Sequence, residues 1–331
     1  WNKNIKRHDI LLGMAYRYTI YDDDTTATFN ELSKLNQEKI THLPGIFIQD
    51  EIIFNSKNTL LLGLRYDYNS LHGNILTPRV NYKISNKAKS TTVRFSIGSG
   101  YRVAQVFTED HAALTGARDV VFLEDIDPER SWNINGNFLK KLYLKQGAIV
   151  DFDFSIFHTQ FSNKIIPDYD TDPNKIIYAN LNGNSIHQGA SLNFNLLIQN
   201  GFRVNLGATY IDSYINKQKL RTTPYLTERF QGVWKIEKKW ITSNLVLDIT
   251  GTATGPLKLP TLGILDPRSS YSKTFHILNF QLTKSWNNTF ESYGGVKNLL
   301  DFTPPRDSIA RSFDPFDNEV TFDTEGNAMS T

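Results

Sequence analysis

Ile10-Leu11-Leu12-Gly13-Met14-Ala15-Tyr16-Arg17-Tyr18-Thr19-Ile20 sorts its side chains at every second position. Ile10, Leu12, Met14, Tyr16, Tyr18 and Ile20 share one side of an extended chain, and Gly13, Ala15, Arg17 and Thr19 share the other. A helix, with 3.6 residues per turn, would mix these sets; a strand, with a period of two, must separate them. The same rhythm returns downstream. Leu60, Leu62, Leu64, Tyr66 and Tyr68 oppose Gly63, Arg65 and Asp67, and Val80, Tyr82 and Ile84 oppose Arg79, Asn81 and Lys83. Val93, Phe95 and Ile97 oppose Arg94 and Ser96; Val150, Phe152 and Phe154 oppose Asp151 and Asp153; Val204, Leu206 and Ala208 oppose Arg203 and Asn205. Ile241, Leu245 and Leu247 continue the pattern against Thr242 and Asp248, while Asp50 sits ambiguously among Ile46, Ile48 and Ile52.

About thirteen such runs, roughly 8–14 residues each, exceed an ordinary strand and suit a tilted crossing of a bilayer. Their connections decide between a membrane barrel and a soluble sandwich. Short ones fall near 55–58, 85–90, 141–146, 198–201, 237–239 and 285–288. Long ones fall near 22–42, 102–130, 162–185, 213–228, 252–273 and from 298 onward, and only 69–76 breaks the alternation. Outer-membrane barrels have short periplasmic turns and long extracellular loops, whereas a Greek-key sandwich has no reason to lengthen every second connection. The sequence therefore predicts an all-β, antiparallel transmembrane β-barrel.

Composition agrees. The mean hydropathy of −0.38 is what alternating lipid-facing and lumen-facing residues give. A net charge of +2 offers no electrostatic footprint for nucleic acid. Absence of cysteine excludes thiolate catalysis and Cys-ligated metals. The chain opens at Trp1 in residues that read as a turn and ends at Thr331 in loop-like ones. With the first and thirteenth strands both running outward, an even-numbered barrel expects a closing strand afterwards. The reading is one partial barrel domain over 1–331, with an N-terminal plug, the first strands and the closing strand lying outside it.

Several motifs resemble the TonB-dependent receptor family, in that family's order. Gly45-Ile46-Phe47-Ile48-Gln49-Asp50-Glu51, Gly63-Leu64-Arg65-Tyr66-Asp67, Pro78-Arg79 and Gly98-Ser99-Gly100-Tyr101-Arg102 look like its successive strand motifs. Pro128-Glu129-Arg130-Ser131 resembles the start of a returning strand. Asn180-Leu181-Asn182-Gly183 with Gly189 resembles a later element, although Ser191 stands where the family has glutamate. Val296-Lys297-Asn298-Leu299-Leu300-Asp301 is similar to the C-terminal signature, with Leu300 replacing phenylalanine. The resemblance implies a barrel of about 22 strands around a plug. It further implies energised uptake of a scarce solute such as a siderophore, haem or cobalamin across the bacterial outer membrane. An energy-transducing TonB complex would act through a box on the plug. The overall style is similar to Bacteroidetes receptors, for which a surface lipoprotein partner is a further expectation. A passive porin or structural barrel is the rival, and a soluble β-rich binding protein is the third reading.

No enzyme signature is present, neither a G-x-S-x-G elbow nor a P-loop. The seven histidines form no metal-spaced pair. Asp168, Asp170 and Asp172 superficially resemble a calcium loop, yet Pro173 and Ala179 occupy the glycine and glutamate positions of an EF-hand. They stand only as a looser calcium candidate, and no other cofactor is implied. Phe107, Phe122, Tyr169 and Tyr178 are the loop aromatics expected to contact a solute. Arg17, Arg65, Arg79, Arg94, Asp151, Asp153 and Arg203 are expected to face the lumen or plug. Aromatic side chains at strand ends suit the headgroup level, where lipid and lipopolysaccharide are the expected partners.

Overall fold

The computed structural model describes residues 1–21, 29–30, 35–36, 39–103, 118–123, 126–169, 171–172, 174–217, 220–260, 267–287, 289–304, 320–322, 324 and 328–329. Fourteen strands form one continuous antiparallel sheet in sequence order. They are β1 (Asn2–Ile5), β2 (His8–Tyr21), β3 (Lys39–Ile53), β4 (Asn58–Asn69), β5 (Gly73–Ser85), β6 (Thr91–Arg102) and β7 (Glu129–Tyr143). The row continues through β8 (Ile149–Phe161), β9 (Gly183–Ile198), β10 (Phe202–Lys217), β11 (Phe230–Trp240), β12 (Leu245–Thr254), β13 (Phe275–Trp286) and β14 (Phe290–Val296). A short strand, Leu220–Thr222, pairs with the far end of β10. Among the described residues no ladder joins β1 to β14, so the barrel is not closed.

Two sequence expectations shift. The opening residues pair with β2 as strand β1 rather than forming a turn. The short connection expected at 237–239 lies within β11, and the chain reverses instead at 241–244, where Asn244 adopts a φ of 49°. Lys-Lys-Trp at 238–240 has no turn residue, so the ladder runs on until Asn244 supplies a left-handed position. At the 199–201 turn Gly201 has a φ of 81°, and a Cβ there would sit 2.3 Å from the Lys239 carbonyl oxygen. Only glycine fits that approach.

Register shows what the alternation is for. Met14 pairs with Ile46, Ile46 with Tyr66, and Tyr66 with Leu76, so one apolar row crosses four strands. Met14 is 85% exposed and Ile46 60%, whereas buried apolar side chains are few. A soluble protein would invert that ratio; an apolar face turned outward belongs in lipid. On β10 the outward residues Phe202, Val204, Leu206, Ala208 and Tyr210 cover eight steps, about 26 Å of strand at roughly 3.3 Å per residue. That is the scale of a barrel's apolar band.

Beyond Tyr210 the same face becomes polar. His158 Nδ1 lies 2.9 Å from Gln188 Oε1, and Gln188 Nε2 donates to Asp212 Oδ2 at 3.1 Å. Arg221 donates to both Asp212 oxygens and lies 3.7 Å over the Tyr214 ring. This hydrogen-bonded rung ends the apolar band on that face. Near the opposite rim Asp50 proves to face outward with Ile46 and Ile48, its carboxylate 2.7 Å from His8 Nδ1.

All the tight reversals between long strands except 70–72 lie at one end of the sheet, and the long connections lie at the other. Placing arginine on the outward face at Leu206 should destabilise the folded barrel by about 2–4 kcal/mol, whereas Thr209→Arg on the opposite face should cost little. Urea titration of folding into lipid vesicles measures the contrast; equal costs would contradict the assignment of faces.

Candidate functional site

Two regions carry the chemistry: the face opposite the apolar band and the loops at the long-connection end. Strand register puts Arg17, Arg65, Arg79, Arg94, Asp151, Asp153 and Arg203 on that one polar face. Most of its charges are paired. Arg65 donates from Nε and Nη2 to the two oxygens of Asp67, each at 2.7 Å, and Asp67 is fully buried. A two-pronged bond is what allows a carboxylate to be buried at modest cost. Gly45 makes the space, because a Cβ there would lie 2.0 Å from Asp67 Oδ1. The glycine of one sequence motif thus serves the aspartate of the next. Lys141 meets Asp151 at 3.5 Å, and Arg203 meets Glu237 at 3.5 Å. Arg94 donates to Asn137 Oδ1 at 2.8 Å, and Asn137 Nδ2 donates to Asp153 at 2.6 Å. Arg17 and Arg79 make no hydrogen bond or ion pair with the described residues.

At the loop end, Asp119–Phe122 runs parallel to Lys175–Asn180, which also pairs antiparallel with Ile165–Asp168. This three-stranded sheet ties the β6–β7 loop to the β8–β9 loop. Ile176 and Tyr178 are its buried centre, packed by Val120, Ile126, Ile165 and Tyr169. Tyr178 therefore departs from the expected solute-contacting set: at 2% exposure its ring holds two loops together. Phe122 stacks on it at 5.6 Å and keeps 41% of its own surface, beside Leu123 at 67%. Tyr169 packs against the cluster, and its carbonyl accepts from Arg118 Nη1 at 2.9 Å. Phe107 lies outside the described residues.

The sheet is anchored to the wall by residues whose role the sequence did not disclose. Glu129 is 2% exposed. It accepts Arg102 Nε at 2.7 Å on the neighbouring strand, and its other oxygen accepts the backbone N–H of Ile165 at 3.0 Å. Asn163 accepts the Arg130 N–H and donates to the Pro128 carbonyl, at 2.8 and 2.6 Å. Asn180 exchanges bonds with the Asp127 backbone and donates to the Asn163 carbonyl. Pro128-Glu129 and Asn180 had shown as motifs; Asn163 carried no local signal at all.

The aspartate cluster is a pair of turn caps. Asp168 accepts the N–H and hydroxyl of Thr171 at 3.0 and 2.7 Å. Asp172 accepts the Asn174 N–H at 2.9 Å and pairs with Lys175 at 3.2 Å. Asp170 lies outside the described residues, and among those described no group of acidic or histidine side chains is arranged to hold a metal. The Asn174 N–H and the Lys175 ammonium hold the Asp172 carboxyl below the usual aspartate value of 3.8.

The matching family model is the TonB-dependent receptor-like β-barrel, over residues 1–299. The chain belongs to the TonB-dependent receptor β-barrel family. It accordingly resides in the bacterial outer membrane, in a family of transport receptors rather than enzymes. No curated protein matches it in sequence. Among solved structures, the siderophore receptor PirA of Pseudomonas aeruginosa is 15% identical with a TM-score of 0.67, over 91% of this chain and 52% of that one. PirA of Acinetobacter baumannii is 13% identical, TM-score 0.69, over 91% and 49%. The FrpB iron transporter of Neisseria meningitidis is 13% identical, TM-score 0.68, over 91% and 49%. Identities this low establish the shared fold, and the chain spans about half the length of these receptors. None of the three comes from a Bacteroidetes species, so that part of the resemblance gains no support from them.

Removing the Glu129 clamp by Glu129→Ala takes the acceptor from the Ile165 N–H and one carboxylate partner from Arg102, a loss of about 1–3 kcal/mol. Hydrogen exchange across 165–180 should accelerate by roughly tenfold or more, with the central wall unchanged; equal protection would show that the clamp is dispensable. Folding lowers the Asp172 pKa, so its contribution to the 168–175 turn is complete above the ordinary aspartate value. It is lost only as pH falls through the lowered one. Limited proteolysis of this loop should therefore be flat from neutrality down to mild acid and rise only in stronger acid. Sensitivity appearing near neutral pH would contradict the capping role.

Proposed function

We propose that this chain forms wall and loops of an energised outer-membrane importer that takes up a scarce iron-bearing solute, a ferric siderophore foremost. The observation that carries the reading is the family match over 1–299, on a sheet whose two faces divide into lipid-facing and polar. Relatives of the same fold bear names that say siderophore receptor, ferric enterobactin receptor and iron transporter, which supports iron over haem or cobalamin. In this reading the polar face lines the lumen and holds a plug. A TonB complex pulls on that plug using the inner-membrane proton gradient. Further strands close the barrel, because open sheet edges do not survive in lipid.

The loop sheet presents the solute-binding surface. Phe122 and Leu123 are its exposed apolar contacts, backed by Tyr178. A rigid platform loses little conformational freedom on binding, which favours capture of a dilute solute. The outward polar rung around Asp212 and Arg221 meets lipopolysaccharide headgroups.

Uptake of radiolabelled ferric siderophore by cells carrying the protein should saturate, and it should fall to background on loss of either TonB or the proton gradient. Uptake that continues unchanged after both losses would identify a passive porin. Phe122→Ala should weaken solute binding by roughly 0.5–1.5 kcal/mol with the fold retained. Tyr178→Ala should instead loosen the whole loop sheet, seen as faster hydrogen exchange.

A further inference from the structure

The inward polar face carries one charge arrangement unlike the rest. Lys83 on β5 and Arg94 on β6 stand directly opposite each other in register. Like charges at that position destabilise a strand pair. Most other cations on this face meet acids: Arg65 with Asp67, Arg102 with Glu129, Lys141 with Asp151, Arg203 with Glu237, and Lys235 with Asp248. Arg17 and Arg79, without an acid among the described residues, face no opposing cation. Lys83 and Arg94 face each other and meet no acid. Lys83 makes no hydrogen bond or ion pair with the described residues, and Arg94 spends one of its five donors on the neutral Asn137 oxygen. Asp153, the acid bonded into this cluster, meets Asn137 rather than either cation. Arg79, four residues before Lys83 on the same strand, is flanked in register by Gly63 and Gly98, so no neighbouring side chain covers it.

The wall is recessed beside the two cations. A partly open recess of about 190 Å³ is lined by Asn81, Lys83, Arg94, Ser96, Asn135 and Asn137, together with Tyr82 and Phe95. Asn137 already serves Asp153 and Ser155, and Asn135 reaches Ser96 and Asn133. These two amides are thus engaged with neighbouring side chains and with Asp153, and Lys83 and the remaining Arg94 donors are the cationic lining groups with no bond to the described residues. An oxyanion answers both features, relieving the repulsion and accepting a two-pronged bond from the arginine.

We propose that Lys83 and Arg94, framed by these amides, form an anion site on the inner wall that takes a carboxylate or phosphate group. The site rests on the reading that this face lines the lumen. Lys83 and Arg94 lie near the strand ends joined by the 86–90 turn, so the site sits toward the end of the lumen that carries the short turns. Two sources offer this chemistry: a carboxylate side chain of polypeptide filling the lumen, or an anionic group of a solute in passage.

The test uses the full-length protein purified from outer membranes, beside Lys83→Gln, Arg94→Gln and the double variant. Removing like charges should not impair folding, so the variants remain measurable. The melting temperature is followed against inorganic phosphate at constant ionic strength. A rise in the wild type that the double variant loses, and that Lys83→Arg retains, identifies a site open to a free oxyanion. No response to phosphate, with faster hydrogen exchange in the lumenal polypeptide and higher single-channel conductance in the double variant, identifies a polypeptide carboxylate. A double variant with unchanged exchange and conductance and no lost phosphate response would overturn the proposal, whether its melting temperature rises or stays level. Uptake is scored separately: anion binding without TonB-dependent transport would refute the import reading and leave the site standing.

Discussion

Hydrocarbon offers no partner to a backbone N–H or C=O, so a chain crossing it must satisfy each such group internally. Between its two outer edges this wall does so with an unbroken run of antiparallel ladders from β1 to β14, each strand bonded to its neighbours in sequence. Everything else is arranged around that demand. A slip of one residue anywhere would exchange the lipid-facing and polar sets, so the side chains must reinforce one register. Glycine is spent where a partner needs the space: Gly45 beneath the Asp67 carboxylate, and Gly13 beneath the Phe47 ring. The family-like motifs on β3 and β4 are therefore parts of one packed unit, spaced so that their inward residues meet.

The loops obey a different economy. Outside the bilayer, water can satisfy a strand edge, and a small apolar centre suffices to order a segment. Tyr178 and Ile176 supply that centre, and Glu129, Asn163 and Asn180 tie it to the top of the wall. Because Glu129 bonds both a wall arginine and a loop amide, displacement of the loop sheet is felt at β6 and β7. The arrangement connects the loop sheet to its frame.

Much of the architecture could be read from residues alone. The faces of Arg17, Arg65, Arg94 and Arg203 follow from counting by two, because alternation in a strand is local geometry and needs no knowledge of partners. Turn ends were less legible. The reversal at 241–244 rather than 237–239 depends on how far β11 and β12 continue to pair, which is a property of two strands. Tyr178 was misplaced for a related reason: an aromatic residue in a long connection looks available until a second loop, more than fifty residues away in sequence, is found lying over it.

Sequence by itself determined that the chain alternates, that its long connections fall on every second reversal, and hence that it is an antiparallel barrel wall; the likeness to a receptor family came separately, from motifs in order. Alternation and connection length are one-dimensional, set by the strand period and by chain length between strands. Tertiary structure alone decided which charges meet. Arg65 finds Asp67, Arg102 finds Glu129, and Lys83 confronts Arg94 because of cross-strand register. Register is fixed by the summed packing of a whole ladder rather than by any residue in it.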